Sequence, residues 1–335
     1  METTLEVNEA SQVAEVRRVA TELGQADGMT QAELGRLALV ATETATNLVK
    51  YAKAGTVTLS RFAHAGQHGV QLISVDNGPG FADFAAASRD GHSTAGSLGI
   101  GLGVIMRSSA LFDVYSVPGQ GTALVARVAH AQRRHPVPVP ASAFEASGRS
   151  RPKLGQVECG DAWGALDLGN HQLVCIVDGL GHGPLAALAA NRAMAVFASA
   201  RIAEPPGDIL LRAHEELKQT RGVVMAVLTI DRAAATATFS GIGNIEAAIY
   251  RGTESRHLLS VEGTVGYRVR TARNHTAAWE PGSVAILHTD GVSSRWSPQK
   301  YPGLLARHPS LIASVLFRDH ARNTDDATIV VAKGT

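Results

Sequence analysis

The chain has little that would attract it to a polyanion. Its 31 Lys and Arg residues nearly balance its 30 Asp and Glu residues, so the formal net charge is +1. A protein with this balance has no global field that would recruit nucleic acid or an anionic membrane. No basic cluster is longer than Arg133-Arg134. We therefore expect neither a nucleic-acid partner nor a membrane partner.

The sequence also lacks long apolar runs and has few cysteines. No uninterrupted apolar run approaches the ~20 residues that a membrane-spanning helix needs. The start, Met1-Glu2-Thr3-Thr4, lacks the basic and apolar regions of a signal peptide. Cys159 and Cys175 lie in apolar, strand-like segments, which indicates buried thiols rather than a disulfide or a metal site. These absences predict a cytoplasmic protein.

A proline-rich stretch divides the 335 residues. A chain of this length favours two domains. Alternating prolines in residues 131–152 remove backbone donors and favour extended backbone, which is typical of a semi-rigid linker. We predict domains at 1–130 and 153–335, joined by a linker at 131–152. The absence of an internal repeat indicates two different folds.

Hydrophobic periodicity predicts a mixture of helices and strands in both halves. In the first half, a helix is expected over 31–52, strands over 56–62 and 70–75, a hairpin of strands over 113–117 and 122–128, and a helix near 104–111. In the second half, helices are expected over 184–200 and 207–219, with strands over 173–177, 223–230, 236–240, 247–250, 284–288 and 327–331. The predicted class is α+β.

Three motifs in the first half carry residues typical of a nucleotide site. Glu43 and Asn47 lie four apart on one helix face. They can orient a hydroxyl and complete a Mg²⁺ shell, or they are a solvated face. Asp76-Asn77-Gly78-Pro79-Gly80 follows a strand, where a carboxylate can accept from an exocyclic amine, or it is a simple turn. The run Gly96 to Gly103 has bare amides before a helix, an arrangement that can bind phosphate, although a glycine-rich loop by itself is weak evidence for a phosphate site.

In this order the motifs resemble the GHKL ATPase family, and within it the small serine/threonine kinases of the anti-sigma-factor group, most closely the stress-switch (RsbT-like) kinases. The resemblance covers residues 30–128 and implies an α/β sandwich that uses ATP with Mg²⁺. It makes Glu43 the general base, Asn47 a Mg²⁺ ligand and Asp76 the adenine-binding residue. Further contacts with ATP are implied for Gly78, Gly80, Gly99, Gly101 and Gly103. The basic residue at the terminal phosphate stays open between Arg89, His92 and Arg107.

Aspartate motifs recur beside apolar strands in the second half. Each alone is commonly a turn, but acidic residues at strand ends can converge. Two divalent ions roughly 3.5–4 Å apart need several carboxylates to hold them. The motifs are Gly160-Asp161, Asp178-Gly179 with Gly181-His182-Gly183, Asp290-Gly291 and Asp325-Asp326.

This set resembles the metal-dependent protein phosphatases of the PPM type, nearest their SpoIIE- and RsbX-like branch. The resemblance covers residues 153–333 and implies a β-sandwich flanked by helices that holds two Mn²⁺ or Mg²⁺ ions. Asp178 is implied to bridge the two metals, and the Gly179 carbonyl to bind one of them. The remaining ligands, direct or through water, are implied to be Asp161, Asp290 and Asp325.

Together the resemblances imply a bifunctional protein serine/threonine kinase and phosphoprotein phosphatase of a bacterial partner-switching pathway for stress or a sigma factor. The implied substrate is a small STAS-domain antagonist or scaffold protein. An alternative hypothesis makes the first half an ATP-dependent anti-sigma module that sequesters a sigma factor or a partner phosphatase. A third hypothesis is a one-activity enzyme with one degenerate domain, against which Glu43 and the intact aspartates argue.

Overall fold

The computed structural model describes residues 2–52, 54–82, 101–130 and 144–334. The chain divides into two compact units, an N-terminal unit, Met1–Ser142, and a C-terminal unit, Ala143–Thr335. Gly99, Arg89, His92 and most of the proline-rich stretch lie outside the described residues. Among the helices that are described, none combines the length and apolar character needed to cross a bilayer.

The N-terminal unit is built on one antiparallel sheet of five strands in the order β1-β2-β3-β5-β4. Every second residue of the central strands faces the helices, as the period of a strand requires. Thus Leu59 pairs with Leu72, which pairs with Ala126, and all three are buried in one core. The strands are β1 Glu2–Val7, β2 Gly55–His64, β3 Gln67–Asp76, β4 Leu111–Ser116 and β5 Thr122–Ala129.

The described part of the N-terminal unit also contains the helices α1 Ala10–Ala26, α2 Gln31–Asn47 and α3 Gly101–Ser108. A capping box begins α2, because the Thr30 hydroxyl accepts from the Glu33 amide and Glu33 Oε2 accepts from the Thr30 amide at 2.7 Å. Leu34, Leu37 and Ala41 then recur at helical spacing and pack on the sheet. The helix layer therefore covers one face of the sheet.

The expected helix over 31–52 changes its winding at the end. The α-helical part stops at Asn47, and Leu48–Ala52 form a π-helical turn. Leu48 stays buried, so the wider turn keeps its apolar contact with the core. Single π-turns are frequent beside functional residues, and this one directly follows Asn47.

The C-terminal unit contains two antiparallel sheets of five strands that pack face to face. Their strand orders are β13-β10-β9-β8-β7 and β12-β11-β14-β15-β6. The first contains β7 Asp161–Leu168, β8 His171–Gly179, β9 Val223–Asp231, β10 Thr236–Ile242 and β13 His275–Ala278. The second contains β6 Glu145–Arg151, β11 Glu246–Arg251, β12 Glu254–Leu258, β14 Val284–His288 and β15 Ala327–Lys333.

Helices cover both outer faces of this sandwich. The alternation of β8 sends Val174 and Ile176 into the core between the sheets, and Cys175 under the helices α4 Pro184–Ala198 and α5 Pro206–Glu216. Helix α6, Pro309–His320, packs on β6 and β15. This architecture confirms the predicted α+β class.

The C-terminal end of the predicted linker is a strand. Residues 145–151, expected within the linker at 131–152, form β6 and pair antiparallel with β15 along its whole length. The sequence EASGRSR has no apolar run, so its edge position depends on the partner strand. Gly148 of β6 leaves room for the Trp163 ring, because a Cβ at position 148 would lie 2.5 Å from that ring.

Other elements were not predicted from the sequence. They include β1, α1, β7, β12, β13 and α6. Strand β1 has polar residues at alternate positions and gains its order from pairing with β2, whose residues lie 48 to 58 positions further along the chain. Such long-range pairing is invisible to a local periodicity analysis.

Two leucines on α2 provide a test of this packing. Leu37 is fully buried, whereas Leu39 is 43% exposed. We expect Leu37→Ala to lower the unfolding free energy of the N-terminal unit by about 2–5 kcal/mol, because it leaves a cavity. Leu39→Ala should change it by less than about 0.5 kcal/mol.

The measurement is urea unfolding followed by circular dichroism. All three tryptophans, Trp163, Trp279 and Trp296, lie in the C-terminal unit, so their fluorescence reports that unit separately. Equal effects of the two alanine substitutions would contradict the assignment of the core.

Candidate active sites

In the N-terminal unit, the predicted carboxylate and amide, Glu43 and Asn47, lie close to Gly101 of α3. A Cβ placed on Gly101 would lie 3.0 Å from Glu43 Oε2 and 3.1 Å from Asn47 Oδ1. Glu43 and Asn47 are both half-buried on α2. Glycine at 101 therefore leaves open the space in front of both polar side chains.

Asp76, at the end of β3, is held by backbone donors. Its Oδ1 accepts from the amide of Gly78 at 2.7 Å and from the amide of Thr122 at 3.1 Å. The loop that follows is fixed to the turn between β4 and β5, because the Gly119 amide donates to the Pro79 carbonyl at 2.7 Å. The turn thus aligns the carboxylate and the glycines next to it.

Gly80 in the same loop must be glycine. Its φ is +61°, and a Cβ there would lie 2.3 Å from the carbonyl oxygen of Val117. Any side chain would push the loop off the β4–β5 turn.

The described part of the glycine-rich run is helical. Helix α3, described from Gly101 to Ser108, includes Gly101 and Gly103, which were expected to precede a helix near 104–111. Arg107, at the other end of α3, lines a cavity of about 200 Å³ with Arg36 and His130. Arg36 lies seven residues before Glu43, about 10 Å along α2, so the structure places Arg107 away from Glu43 and Asn47.

In the C-terminal unit, the register of β7 and β8 sets Asp161 directly opposite Asp178. Asp161 is buried, with 6% of its surface exposed. Its Oδ2 accepts from the Thr289 hydroxyl at 2.8 Å, and the same hydroxyl accepts from the Thr328 amide at 3.0 Å. Thr289 thereby fixes Asp161 to the second sheet.

The remaining aspartates come from the second sheet. Asp290 follows β14, and its Oδ2 accepts from the Asn244 side-chain amide at 2.9 Å. Asp326 precedes β15 and is buried; its two oxygens accept from the amides of Lys153 at 2.7 Å and Gly160 at 2.9 Å. Asp325, beside it, is exposed. Both carboxylate oxygens of Asp326 therefore accept hydrogen bonds from the backbone. Asp325 is the carboxylate that faces outward.

The electrostatics of this cluster favour a cation. Burial raises the pKa of Asp178, and the negative charges of Asp161 and Asp290 raise it further. Burial also raises the pKa of Asp161. Asp161 Oδ1 is buried and has no hydrogen-bond partner in the described structure. A divalent cation would satisfy this oxygen and neutralise the repulsion, so the residues fit a metal site.

A cysteine, Cys159, lies beside this cluster, two residues before Asp161. Burial, reinforced by the charge of Asp161, raises the pKa of Cys159 to about 12. A thiol with a pKa raised this far is a weak nucleophile at neutral pH when no metal ion is bound.

The folds and their polar clusters define a nucleotide-binding α/β sandwich joined to a metal-dependent hydrolase sandwich. Residues 7–128 match the family described as Histidine kinase-like ATPase domain. Residues 169–334 match the family described as Stage II sporulation protein E (SpoIIE).

Individual relatives cover the two units separately. The chain is 36% identical over 110 residues to the serine/threonine-protein kinase RsbT of Bacillus subtilis (strain 168), covering 33% of this chain and 80% of RsbT. It is 29% identical over 143 residues to the phosphoserine phosphatase RsbX of the same organism, covering 42% of this chain and 71% of RsbX.

A solved structure from work on the bacterial stressosome, described as a modular system adapted to control secondary messenger signaling, is 27% identical with a TM-score of 0.53. The match covers 57% of this chain and 99% of that one. The chain therefore belongs to the RsbT-like GHKL serine/threonine kinases, fused to a PPM phosphatase domain of the SpoIIE and RsbX kind. This confirms both family resemblances, and these classes use a nucleotide and a divalent metal ion.

Thr289, the contact of Asn244 with Asp290 and the role of Asp326 were not predicted from the sequence. Thr289 stands directly before Asp290, and that adjacency was the available signal. Its hydrogen bond to Asp161 joins residues 128 positions apart, which only the packing of the two sheets reveals.

Replacement of Thr289 tests how Asp161 is positioned. Thr289→Val removes the hydroxyl that holds Asp161 Oδ2, and we expect the affinity for Mn²⁺ to fall about 10- to 100-fold. Thr289→Ser keeps the hydroxyl and should bind Mn²⁺ like the wild type. Isothermal titration calorimetry of the full chain measures both, and a valine variant with unchanged affinity would refute this role.

The pH dependence of stability follows from the raised pKa values of Asp161 and Asp178. In the metal-free protein the folded state holds these protons to higher pH than the unfolded state. The stability of the C-terminal unit should therefore fall as pH rises from about 4, the unfolded pKa of an aspartate, to about 8. Tryptophan fluorescence during thermal unfolding measures this. Asp178→Asn should flatten the profile, and an equally steep profile in that variant would contradict the assignment.

Proposed function

We propose that this chain transfers phosphate from ATP to a serine or threonine of a protein substrate and that its second unit removes phosphate from such residues. The observation that carries the proposal is that both polar clusters are complete in one chain. Glu43 and Asn47 face Gly101 in one unit, and Asp161 opposes Asp178 in the other.

For the kinase reaction, we assign Glu43 as the general base that accepts the proton of the substrate hydroxyl. Asn47 is the Mg²⁺ ligand, and Asp76 binds the adenine amine. Gly78, Gly80, Gly99, Gly101 and Gly103 contact ATP. Support comes from the half-buried position of Glu43, which allows contact with substrate, and from the amides that orient Asp76. Such chemistry depends mainly on positioning and charge neutralisation.

For the phosphatase reaction, we assign Asp161, Asp178, Asp290, Asp325 and the Gly179 carbonyl to hold two Mn²⁺ or Mg²⁺ ions. Bound divalent ions would neutralise the phosphate and lower the pKa of a water molecule. The protein aligns the carboxylates through Thr289 and Asn244. Asp326 ties the loop before β7 to the start of β15 and so maintains the position of Asp161.

The substrate that we propose is a small STAS-domain protein of a partner-switching pathway. The support is family membership, since the N-terminal unit is related to RsbT and the C-terminal unit to RsbX. A chain that combines both activities is suited to set the phosphorylation state of one partner or of two.

The test uses phosphate-affinity gels of candidate STAS proteins. Glu43→Gln should lower phosphorylation by about 10²- to 10⁴-fold, the usual contribution of a general base. Asp178→Asn should lower metal-dependent dephosphorylation by at least about 100-fold, since even outer-shell changes cost 10- to 100-fold. Each variant should leave the other reaction intact.

Matched controls come from exposed carboxylates of the same units. Glu15→Gln on α1 and Asp208→Asn on α5 remove comparable charges without touching either cluster and should retain both activities. Retained dephosphorylation in Asp178→Asn would refute the metal assignment. Absence of phosphate transfer, with capture of a sigma factor in the presence of ADP, would instead support a binding module in the N-terminal unit.

A further inference from the structure

We infer that the N-terminal unit carries a separate metal site, formed by Asp27, His68 and His130, for a divalent transition-metal ion of the Zn²⁺ type. Across the described residues, no other three His, Cys, Asp or Glu side chains bring their ligand atoms within 4.8 Å of one another. Imidazole nitrogen and carboxylate oxygen are ligands that Zn²⁺ accepts. Neither proposed activity uses these residues.

The sheet places the two histidines side by side. Gly69 of β3 pairs with Ala129 of β5, so His68 and His130 are the next pair, and the His130 amide donates to the His68 carbonyl at 3.1 Å. Paired residues project from the same face of a sheet. Their rings lie 4.1 Å apart between centroids, tilted by 30°.

The third group comes from the loop between α1 and α2. Asp27 is the residue after α1, and its amide donates to the Leu23 carbonyl at 3.0 Å. Its Oδ2 lies 2.9 Å from His130 Nε2 and 3.3 Å from His68 Nδ1. Ligands about 2.0–2.1 Å from a tetrahedral ion lie about 3.3 Å apart, so little movement is needed to admit one.

The surroundings favour a positive ion. Glu33, which is 3% exposed, places Oε2 at 3.8 Å from His130 Nδ1, the ring nitrogen that does not face Asp27. A carboxylate behind a metal-bound histidine orients the ring and strengthens the ligand. Three arginines oppose this. Arg61 Nη1 lies 3.9 Å from Asp27 Oδ1, although its side chain is half-exposed and screened by water. Arg36 and Arg107 line a cavity with His130.

The site is accessible and remote from the nucleotide cluster. His68 is 54% exposed, whereas Asp27 and His130 are mostly buried, so an ion can enter from solvent. Glu33 and Asn47 are fourteen residues apart on α2, about 21 Å along the helix. A bound ion would fasten the α1–α2 loop to the end of the sheet away from Glu43.

The test is Zn²⁺ binding by the full chain, by equilibrium dialysis in the presence of saturating Mn²⁺ to occupy the phosphatase unit. We expect the wild type to bind one Zn²⁺ equivalent that His130→Gln and His68→Gln bind at least about 100-fold more weakly. The matched control is His171→Gln. His171 faces Asp231 at 3.8 Å with the same 19% exposure as His130, but belongs to no three-ligand group in the described structure.

A second measurement does not depend on counting ions. Co²⁺ bound by the triad should give a visible absorption spectrum that His68→Gln abolishes and His171→Gln leaves unchanged. Because His68 is half-exposed, its replacement should leave the fold intact, as circular dichroism can verify. Equal Zn²⁺ binding and equal Co²⁺ spectra in wild type and His68→Gln would overturn the inference. The imidazoles would then only hydrogen-bond to Asp27.

Discussion

The burial of Asp161 opposite Asp178 is the constraint on which the C-terminal unit depends. Two carboxylates at the ends of neighbouring strands repel each other, and burial removes the water that would screen them. Hydrogen-bond donors reduce this repulsion. The Thr289 hydroxyl donates to Asp161, and two backbone amides donate to Asp326. One oxygen of Asp161 still lacks a hydrogen-bond partner among the residues that the structure describes. The carboxylates that destabilise the metal-free fold are therefore the ones suited to hold a divalent cation.

In the N-terminal unit, the two ends of helix α2 carry different polar groups. At its C-terminal end, α2 presents Glu43 and Asn47 to Gly101 of α3, just before the winding widens into a π-helical turn. At its N-terminal end, Glu33 both caps the helix and faces His130. The buried stripe that includes Leu37 holds the whole helix on the sheet, so both ends keep fixed positions relative to the strands.

Local patterns account for much of this architecture. The helix that starts at Gln31, the strand around Val174 and the helix that starts at Pro184 carry strong periodicity or clear start signals, and the structure confirms them. Both family resemblances rest on motifs with short internal spacing and are confirmed. Strand β6 was assigned to the linker because a polar edge strand has no periodic signal of its own. The roles assigned to individual site residues stay predictions.

The sequence by itself determined the two families, because the motifs around Asp76 and Asp178 place chemically required residues within a few positions of each other. It did not determine which distant groups meet. Sheet register and helix packing decide three long-range contacts. Thr289 donates to Asp161, Asp326 accepts from a backbone amide, and Asp27 lies beside two histidines. These depend on the balance of many long-range contacts, which no local stretch of sequence encodes alone.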